Sequence, residues 1–362
     1  MTILWLNLVV VFIFSFMARV ASSPNLSSIS TISSVYIRPN KVLVFVGLLT
    51  LVCISGLRNN IGDTYAYIDI YQRHDFTWSY ILSKKDIGFG VLQMILKHFS
   101  SDPQILIFTA AFITNILVVY ILYNYSRIYE LSLFVYITGG LFLVSMNGVR
   151  QMLAAAIAFT SIRFLFDGSW KRYTLVILFA SLFHQSALIL IPIYVIVRFK
   201  AWSKVTIALL IFSIVFVIGF NQLSSFLFSA IQDTQYGEYK NFQEGGASII
   251  RVAVTAVPLL IAFIGRDKLR EINPKSDIIV NMALLGFIFM LISTQNWIFA
   301  RISIYFSFYQ LILIAWIVKL FKLKDQKFVY YSIVICYILY YYYENVISLQ
   351  IYYQSNYINV NW

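Results

Sequence analysis

Several arginine and histidine side chains stand at the ends of long apolar segments, where a charge is costly unless it has a partner. Arg150 lies in the segment Asn147-Gly148-Val149-Arg150-Gln151, which we predict begins a helix with Asn147 as its cap. Because the N-terminus of a helix favours anions, an arginine there makes sense when an anionic ligand is bound. Guanidinium groups bind phosphate through paired hydrogen bonds. The segment therefore predicts a phosphate-bearing ligand, with snorkelling of Arg150 to lipid phosphates as the alternative.

Other polar residues have the same character, since each follows or begins an apolar segment. They are Arg58, Asp63, Tyr65 and Tyr67 after one segment, His184 between two short apolar halves, and Arg251, Arg301 and Tyr305 at the starts of later segments. Arg58 and Asp63 also have a simpler interpretation, an ion pair that ends a helix. A hydrogen bond to a neighbouring helix would equally explain His184, which could otherwise bind substrate or carry a proton.

The sequence predicts neither a bound metal nor a disulfide framework. Only three histidines occur, at His74, His98 and His184, and no acidic cluster accompanies the last. The two cysteines, Cys53 and Cys336, both lie within apolar segments. The formal net charge of +12 is carried mostly by short connections between apolar segments, so membrane topology explains it and a nucleic-acid partner is not expected.

The composition identifies the elements that must position these residues. Of the 362 residues 60% are hydrophobic and 12% are charged, against about 25% charged in soluble domains. The apolar runs are about 17–20 residues long, as membrane-spanning helices require. The sequence therefore predicts an all-α polytopic membrane protein, a single membrane domain over 1–362 with about 12 transmembrane helices. The predicted spans are 3–18, 41–57, 104–123, 129–146, 150–167, 172–184, 186–199, 205–221, 250–266, 277–294, 301–318 and 328–345.

Three segments need a separate interpretation. The first apolar run is predicted to be an uncleaved span, because a signal peptide would begin with a basic region. The runs 172–184 and 186–199 are short, so they form two half-helices, a re-entrant hairpin or one tilted helix. Residues 86–100 are apolar on one side, which predicts an amphipathic helix that lies at the membrane surface or dips into it.

The distribution of lysine and arginine predicts the orientation. The richer set of connections holds Arg19, Arg127 and Lys319 among others, and the positive-inside rule makes it cytoplasmic. Both termini and the loops 58–103 and 222–249 are then outside. Arg58, Arg150, His184, Arg251 and Arg301 all approach the outer leaflet, and the guanidinium groups outnumber the carboxylates recognised near them.

The chain resembles the EpsG-type membrane proteins, relatives of the Wzy polysaccharide polymerases, in a series of motifs from about 56 to 306. The matching pieces are Arg58…Gly62-Asp63…Tyr65…Tyr67, Lys85-Asp86-Ile87-Gly88-Phe89, Asn147-Gly148-Val149-Arg150-Gln151, Phe183-His184-Gln185-Ser186-Ala187 with Pro192, and Arg301…Tyr305-Phe306. The sequence departs from the family pattern in the order Gly62-Asp63-Thr64-Tyr65 and in Asp86-Ile87, where Glu-Pro is common.

The resemblance implies a GT-C-like glycosyltransferase at the outer face of the bacterial cytoplasmic membrane. It would join undecaprenyl-diphosphate-linked oligosaccharide units into exopolysaccharide, capsule or O-antigen, without a metal, among membrane lipids and with a chain-length regulator and a flippase as partners. Arg150 and Arg301 would stabilise the leaving diphosphate, with Arg58 and Arg251 as further candidates. His184 or Asp63 would be the general base. Substrate contacts would come from Asn147, Gln151, Tyr65, Tyr67 and Tyr305.

Other functions remain open at this point. A flippase for lipid-linked sugars would also gather arginines around a diphosphate, although in a cavity open to both sides. An O-antigen ligase would share the architecture and use another acceptor. A membrane O-acetyltransferase would need a cytoplasmic acyl-donor site, and an ion or solute transporter is least favoured because no acidic residue is predicted in the middle of a span.

Overall fold

The computed structural model describes residues 1–22, 38–220, 222 and 245–358, and the regular elements in these residues are helical. Short 3₁₀ segments cover Gln185–Ile189 and Val318–Leu320, and a π-helical turn covers Tyr343–Ser348. The α-helices are α1 (Thr2–Val20), α2 (Lys41–Gly56), α3 (Thr64–Arg73), α4 (Trp78–Leu82), α5 (Ile87–Phe99), α6 (Gln104–Tyr125), α7 (Tyr129–Thr138), α8 (Leu141–Asn147), α9 (Val149–Phe159), α10 (Ile162–Asp167), α11 (Trp170–Ser181), α12 (Leu190–Ile196), α13 (Lys204–Ile218), α14 (Ile249–Ile264), α15 (Arg266–Ile272), α16 (Ser276–Ile292), α17 (Ile298–Ile317) and α18 (Leu323–Tyr342).

Several helices are long and apolar enough to cross a membrane, so the chain is an all-α, multi-pass membrane protein. Four qualify among the described residues, namely Thr2–Val20, Gln104–Tyr125, Val149–Asp167 and Ile298–Leu320. The count rises to 6 if each bent pair, α7 with α8 (53°) and α14 with α15 (81°), is one span. Each predicted span overlaps one of the helices, while the total of about 12 stays a prediction.

The separately interpreted segments have defined structures. Helix α5 forms within the predicted range 86–100 and buries one face, which carries Phe89, Gln93 and Leu96. The run 172–199 is broken at residues 182–184, between α11 and the 3₁₀ segment that leads into α12. It therefore consists of two half-helices, of which the first is α-helical and the second begins as a 3₁₀ helix. Most of the predicted loop 222–249 lies outside the described residues.

The helices form two compact units. The first comprises residues 1–191 and 314–362, and the second comprises residues 192–313. The motifs around Arg58, Asp86, Arg150 and His184 belong to the first unit, whereas Arg301 belongs to the second. The prediction of a single membrane domain is not tested by this division.

At one end of the first unit the segment 352–356 crosses the loop that follows α2. The Asn60 side chain donates to the carbonyl of Tyr352 at 2.6 Å and accepts from the Gln354 N–H at 2.7 Å. The Asn59 N–H donates to the Gln354 carbonyl at 3.0 Å. These bonds satisfy backbone groups on both segments, so residues 352–356 act as a strap over the loop.

Beneath the strap, the Arg58 guanidinium is buried, and each of its three nitrogens donates a hydrogen bond. It donates to the carbonyl of Met146 at 2.6 Å and to the Thr64 hydroxyl at 3.0 Å, and a further N–H donates to the Ser55 carbonyl. Burial lowers the pKa of Arg58 to about 9, so the side chain stays charged at neutral pH. One guanidinium therefore ties the end of α2 to the end of α8 and the start of α3.

The opposite end of the first unit gathers residues that the charge distribution assigns to the cytoplasmic side. The Arg19 guanidinium lies 2.6 Å from the Glu130 carboxylate, which is completely buried. Lys319 is close enough to Arg19, Arg127 and Glu130 to interact electrostatically with all three. The grouping agrees with the predicted sorting of these residues to one side, and which side is cytoplasmic stays a prediction.

Replacing Arg58 by lysine should destabilise the protein, because one ammonium group cannot reproduce the three divergent bonds of the guanidinium. Loss of charge-assisted hydrogen bonds should reduce the free energy of unfolding by about 2–4 kcal/mol. The thermal midpoint in detergent measures the effect. Arg73→Lys is the matched control, since Arg73 is 72% exposed, and an equal midpoint for both variants would contradict the structural assignment of Arg58.

Candidate functional site

The first motif and the start of α9 meet through Asn147. Its side-chain oxygen accepts from the N–H of Asp63 at 3.0 Å. Gly62 has φ +54°, and a side chain there would collide with Asn147. Glycine at this position is therefore required both by the backbone conformation and by the close approach of Asn147. Asn147 is the last residue of α8, and Gly148 is the N-cap of α9 with no side-chain hydrogen bond to that helix, so the prediction that Asn147 caps it is wrong. The side chain is bonded to Asp63 instead, and a shared substrate site for the two residues stays a prediction.

The carboxylate of Asp86 joins its own sequence motif to the motifs that contain Arg150 and Gln185. One Asp86 oxygen lies 2.8 Å from the Arg150 guanidinium, and the other accepts from the Gln185 N–H at 3.1 Å. The loop before α5, the first turn of α9 and the break after α11 consequently meet at Asp86. The sequence motif included Asp86, but its pairing with Arg150 was not predicted.

The ion pair is asymmetric in its exposure. The Asp86 side chain is 4% exposed, whereas that of Arg150 is 45% exposed. Burial raises the pKa of Asp86, while Arg150, the Gln185 N–H and Lys85 act in the opposite direction. The arrangement leaves Arg150 held on one side by a buried carboxylate and open on the other, where a second anion can approach.

The Tyr67 ring faces the guanidinium of Arg150. The guanidinium carbon lies 6.0 Å from the centre of the Tyr67 ring, and Tyr67 packs edge-on against Phe89 at 5.9 Å. Tyr67 is buried, whereas Tyr65 is 72% exposed. Tyr67 therefore orients Arg150, and of the two tyrosines of this motif that are predicted to contact substrate, only Tyr65 has an exposed ring.

His184 lies beside this group at the break between the half-helices. Its side chain is buried, and Nδ1 lies 2.7 Å from the Ser186 hydroxyl. The neighbouring turn is fixed by the Gly88 N–H, which donates to the Leu182 carbonyl at 2.7 Å. A Cβ on Gly88 would lie 3.0 Å from that carbonyl oxygen, so glycine permits α5 to approach the break closely. The residue pattern Phe-His-x-Ser thus corresponds to an imidazole oriented by a hydroxyl.

Carboxylates lie close to the basic groups in this part of the first unit. Arg150 interacts electrostatically with Asp86 and Asp63, and Asp86 also interacts with Lys85. The expectation that the guanidinium groups outnumber the carboxylates near them is therefore wrong for Arg150, which pairs with Asp86. It missed Asp86 because this residue is 64 positions away in the sequence.

The remaining predicted residues occupy other environments. Gln151 is buried on α9. In the second unit, the Arg301 guanidinium lies 4.7 Å from the Trp297 ring centre, Tyr305 is buried on α17, and Arg251 is in the first turn of α14. Their predicted substrate contacts, like that of Arg58, stay predictions. Within the described residues, no three histidine, cysteine, aspartate or glutamate side chains converge as a metal site would require.

Comparison with known proteins identifies one family. Residues 41–359 match the model of the EpsG family, a range that contains both compact units' polar motifs and the strap. Neither the curated proteins nor the solved structures contain a significant match to the chain.

Replacing Asp86 by alanine should release the break after α11, because the Gln185 N–H loses its acceptor. A charge-assisted hydrogen bond is worth about 1.5–3 kcal/mol, so the Gln185 amide should exchange hydrogen at least about tenfold faster. Hydrogen exchange with mass spectrometry over residues 183–189 measures this. Asp86→Asn keeps an acceptor and should show a smaller change, whereas unchanged exchange in Asp86→Ala would contradict the bridging contact.

Proposed function

We propose, since the chain belongs to the EpsG family over residues 41–359, that it is a membrane glycosyltransferase that polymerises lipid-linked oligosaccharides. Family membership associates the chain with exopolysaccharide biosynthesis, and its long apolar helices make it a multi-pass membrane protein. The proposed substrate is an oligosaccharide repeat unit on undecaprenyl diphosphate. The proposed location is the outer face of the bacterial cytoplasmic membrane, and the product is exopolysaccharide, capsule or O-antigen.

One observation carries the proposal: a half-exposed Arg150 is held by buried Asp86 in the same cluster as His184. A polymerase needs a cation that stabilises the leaving diphosphate and, close to it, a base that deprotonates the acceptor hydroxyl. The ion pair fixes the guanidinium before substrate arrives, so little reorganisation is needed when negative charge develops. Asp86 is accordingly a positioning residue in the proposed mechanism.

The reaction exchanges one C–O bond for another. A hydroxyl oxygen of the acceptor unit attacks the anomeric carbon of the growing chain, and the bond from that carbon to the lipid diphosphate breaks. The electron pair of the broken bond stays on the diphosphate, where Arg150 stabilises it. The hydroxyl proton passes to the general base. A well-placed donor of this kind contributes about 10²–10³-fold to the rate.

His184 is the preferred base. It is a buried imidazole oriented by the Ser186 hydroxyl and joined through the adjacent Gln185 to Asp86. Asp63 is the second candidate, since its N–H is fixed by the Asn147 side chain and its carboxylate interacts electrostatically with Arg150. Both residues lie in the first unit, so either base would act with the same arginine.

A flippase or an O-antigen ligase would use the same diphosphate contacts. The polymerase is favoured because the polar cluster combines an anion-binding side chain with a base, and transport alone requires no base. A ligase differs only in its acceptor, so the products distinguish it.

Replacing Arg150 by alanine should abolish chain growth while the protein still inserts and folds. The protein is reconstituted in liposomes with the undecaprenyl-diphosphate repeat unit of its host, and the products are separated on a gel. We expect a ladder spaced by one repeat from the wild type, and at least about a 10²-fold lower rate from Arg150→Ala.

Arg73→Ala serves as the control, because Arg73 is exposed and pairs with Asp69 four residues earlier on the same helix. A full ladder from Arg150→Ala would remove this residue from the mechanism. Movement of single lipid-linked units across the bilayer, without a ladder from folded wild type, would favour the flippase instead.

Single-turnover rates of His184→Ala and Asp63→Asn should identify the base. Loss of a general base lowers the rate of the chemical step by about 10²–10⁴-fold, and we expect this loss for His184→Ala with a smaller effect for Asp63→Asn. Unchanged melting temperatures establish that both variants fold. The reverse order of rates would make Asp63 the base.

A further inference from the structure

The first unit contains an apolar groove that leads away from the polar cluster. It has a volume of about 710 Å³, within the range of roughly 300–1,000 Å³ that is usual for ligand pockets. Helices α6, α9 and α11 supply its walls. Its lining includes Leu117, Leu153, Ile157, Thr160, Val176, Phe179 and Phe183.

The groove has an entirely apolar character. Thr160 is the one residue of its lining with a polar side chain, and its hydroxyl donates to the Ile157 carbonyl at 2.6 Å. A polar ligand would therefore find no side-chain hydrogen-bond partner along the walls and would lose its hydration on entry. A hydrocarbon chain meets no such cost. The groove is also accessible from the surface of the bundle, because Phe179 is 53% exposed.

Helix α9 connects the groove to Arg150. Arg150, Leu153, Ile157 and Thr160 are separated by three, four and three residues, so they follow one face of the helix. Since an α-helix rises 1.5 Å per residue, Leu153 to Thr160 spans about 10 Å, roughly a third of the hydrocarbon thickness of a bilayer. Arg150 lies one turn beyond the Leu153 end of this stripe.

The break after α11 marks the same end of the groove. Phe183 lines the groove and is followed directly by His184. The next residue, Gln185, donates its N–H to Asp86, the partner of Arg150. The α9 wall and the α11 wall of the groove thus both end at the polar cluster. The apolar groove consequently lies next to the half-exposed cation Arg150.

We propose that this groove binds the hydrocarbon chain of a polyprenyl diphosphate whose anionic head lies at Arg150. This inference deepens the proposed function and rests on it, since that function supplies the diphosphate. The groove takes the isoprene units next to the head, and the remainder of the chain extends into the bilayer. Binding the chain between α9 and α11 aligns the diphosphate with Arg150 and the anomeric carbon with the side of His184.

The groove also predicts selectivity for the lipid. Charge complementarity at Arg150 favours a diphosphate over a zwitterionic phospholipid, and a single groove of about 710 Å³ favours one chain over the two chains of a phospholipid. The ordinary bilayer lipids are therefore the competing occupants, and an experiment must distinguish them from the polyprenyl chain.

Photocrosslinking without any sugar tests the proposal. A benzoyl-phenylalanine is introduced at Phe179, which lines the groove, or at Leu178, its neighbour outside the groove with a similar exposure of 46% against 53%. Each protein is placed in phosphatidylethanolamine and phosphatidylglycerol liposomes with undecaprenyl diphosphate, and the adducts are identified by mass spectrometry. We expect at least fivefold more undecaprenyl adduct at 179 than at 178.

Filling the groove should remove the preference. Val176→Trp, combined with the probe at 179, should reduce the undecaprenyl adduct to the level seen at 178, and Leu117→Trp is a second variant from another wall. Leu178→Trp is the matched substitution outside the groove and should leave lipid-linked chain growth unchanged. Equal undecaprenyl adducts at both positions, or phospholipid adducts at 179 that undecaprenyl diphosphate does not displace, would overturn the proposal.

The crosslinking result and the assay of chain growth test the groove and the polymerase separately. A ladder of products that persists in Val176→Trp, with equal adducts at both probe positions, would remove the groove and keep the polymerase. Selective labelling at 179 in a protein that forms no ladder would keep the groove and remove the polymerase.

Discussion

A buried carboxylate can remain charged only if donors surround it, and the arrangement at Asp86 follows from this constraint. The loop before α5 carries the carboxylate, α9 supplies the guanidinium of Arg150, and the break after α11 supplies the N–H of Gln185. None of these segments is adjacent to another in sequence. The need to satisfy one side chain therefore fixes the starts of α5 and α9 and the end of α11 relative to each other. It also explains why α11 stops where it does, since a continuous helix would direct the Gln185 N–H to its own backbone.

Arg58 is a buried cation that likewise holds the ends of helices together through hydrogen bonds. Its guanidinium occupies carbonyl groups at the ends of α2 and α8 that no helix can satisfy. The loop it supports contains Ile61 with φ +79°, an unfavourable conformation for a β-branched residue that costs about 1–3 kcal/mol. Thr64 links the two features, because its hydroxyl accepts from Arg58 and donates to the Ile61 carbonyl at 2.7 Å. The surrounding hydrogen bonds thus hold a strained loop next to Asp63 and Asn147.

The sequence predicts those features of the fold that depend on local pattern. Apolar length identifies the helices, and the unusual positions of Arg150, Asn147, Asp63 and His184 identify residues that the structure brings to one region of the first unit. Partnerships across many residues leave no such local signal. The pairing of Arg150 with Asp86 is an example, because an exposed aspartate before a helix looks the same in sequence as a buried one. The strap is another, since nothing in the composition of residues 352–356 indicates that they cover the loop after α2.

The strap has a consequence for the biosynthesis of the protein. Asn59 hydrogen-bonds with Asn356 across a separation of 297 residues. A ribosome adds about 5–20 residues per second, so the interval between the two ends of this contact is on the order of 15 to 60 s. During that time α1 and α2 are already made, while the loop with Arg58 and Ile61 lacks its cover. The newly made chain must therefore tolerate, or be helped to tolerate, an uncovered surface at this end until residues 352–356 have been synthesised, so the loop after α2 acquires its full set of hydrogen bonds late in biosynthesis.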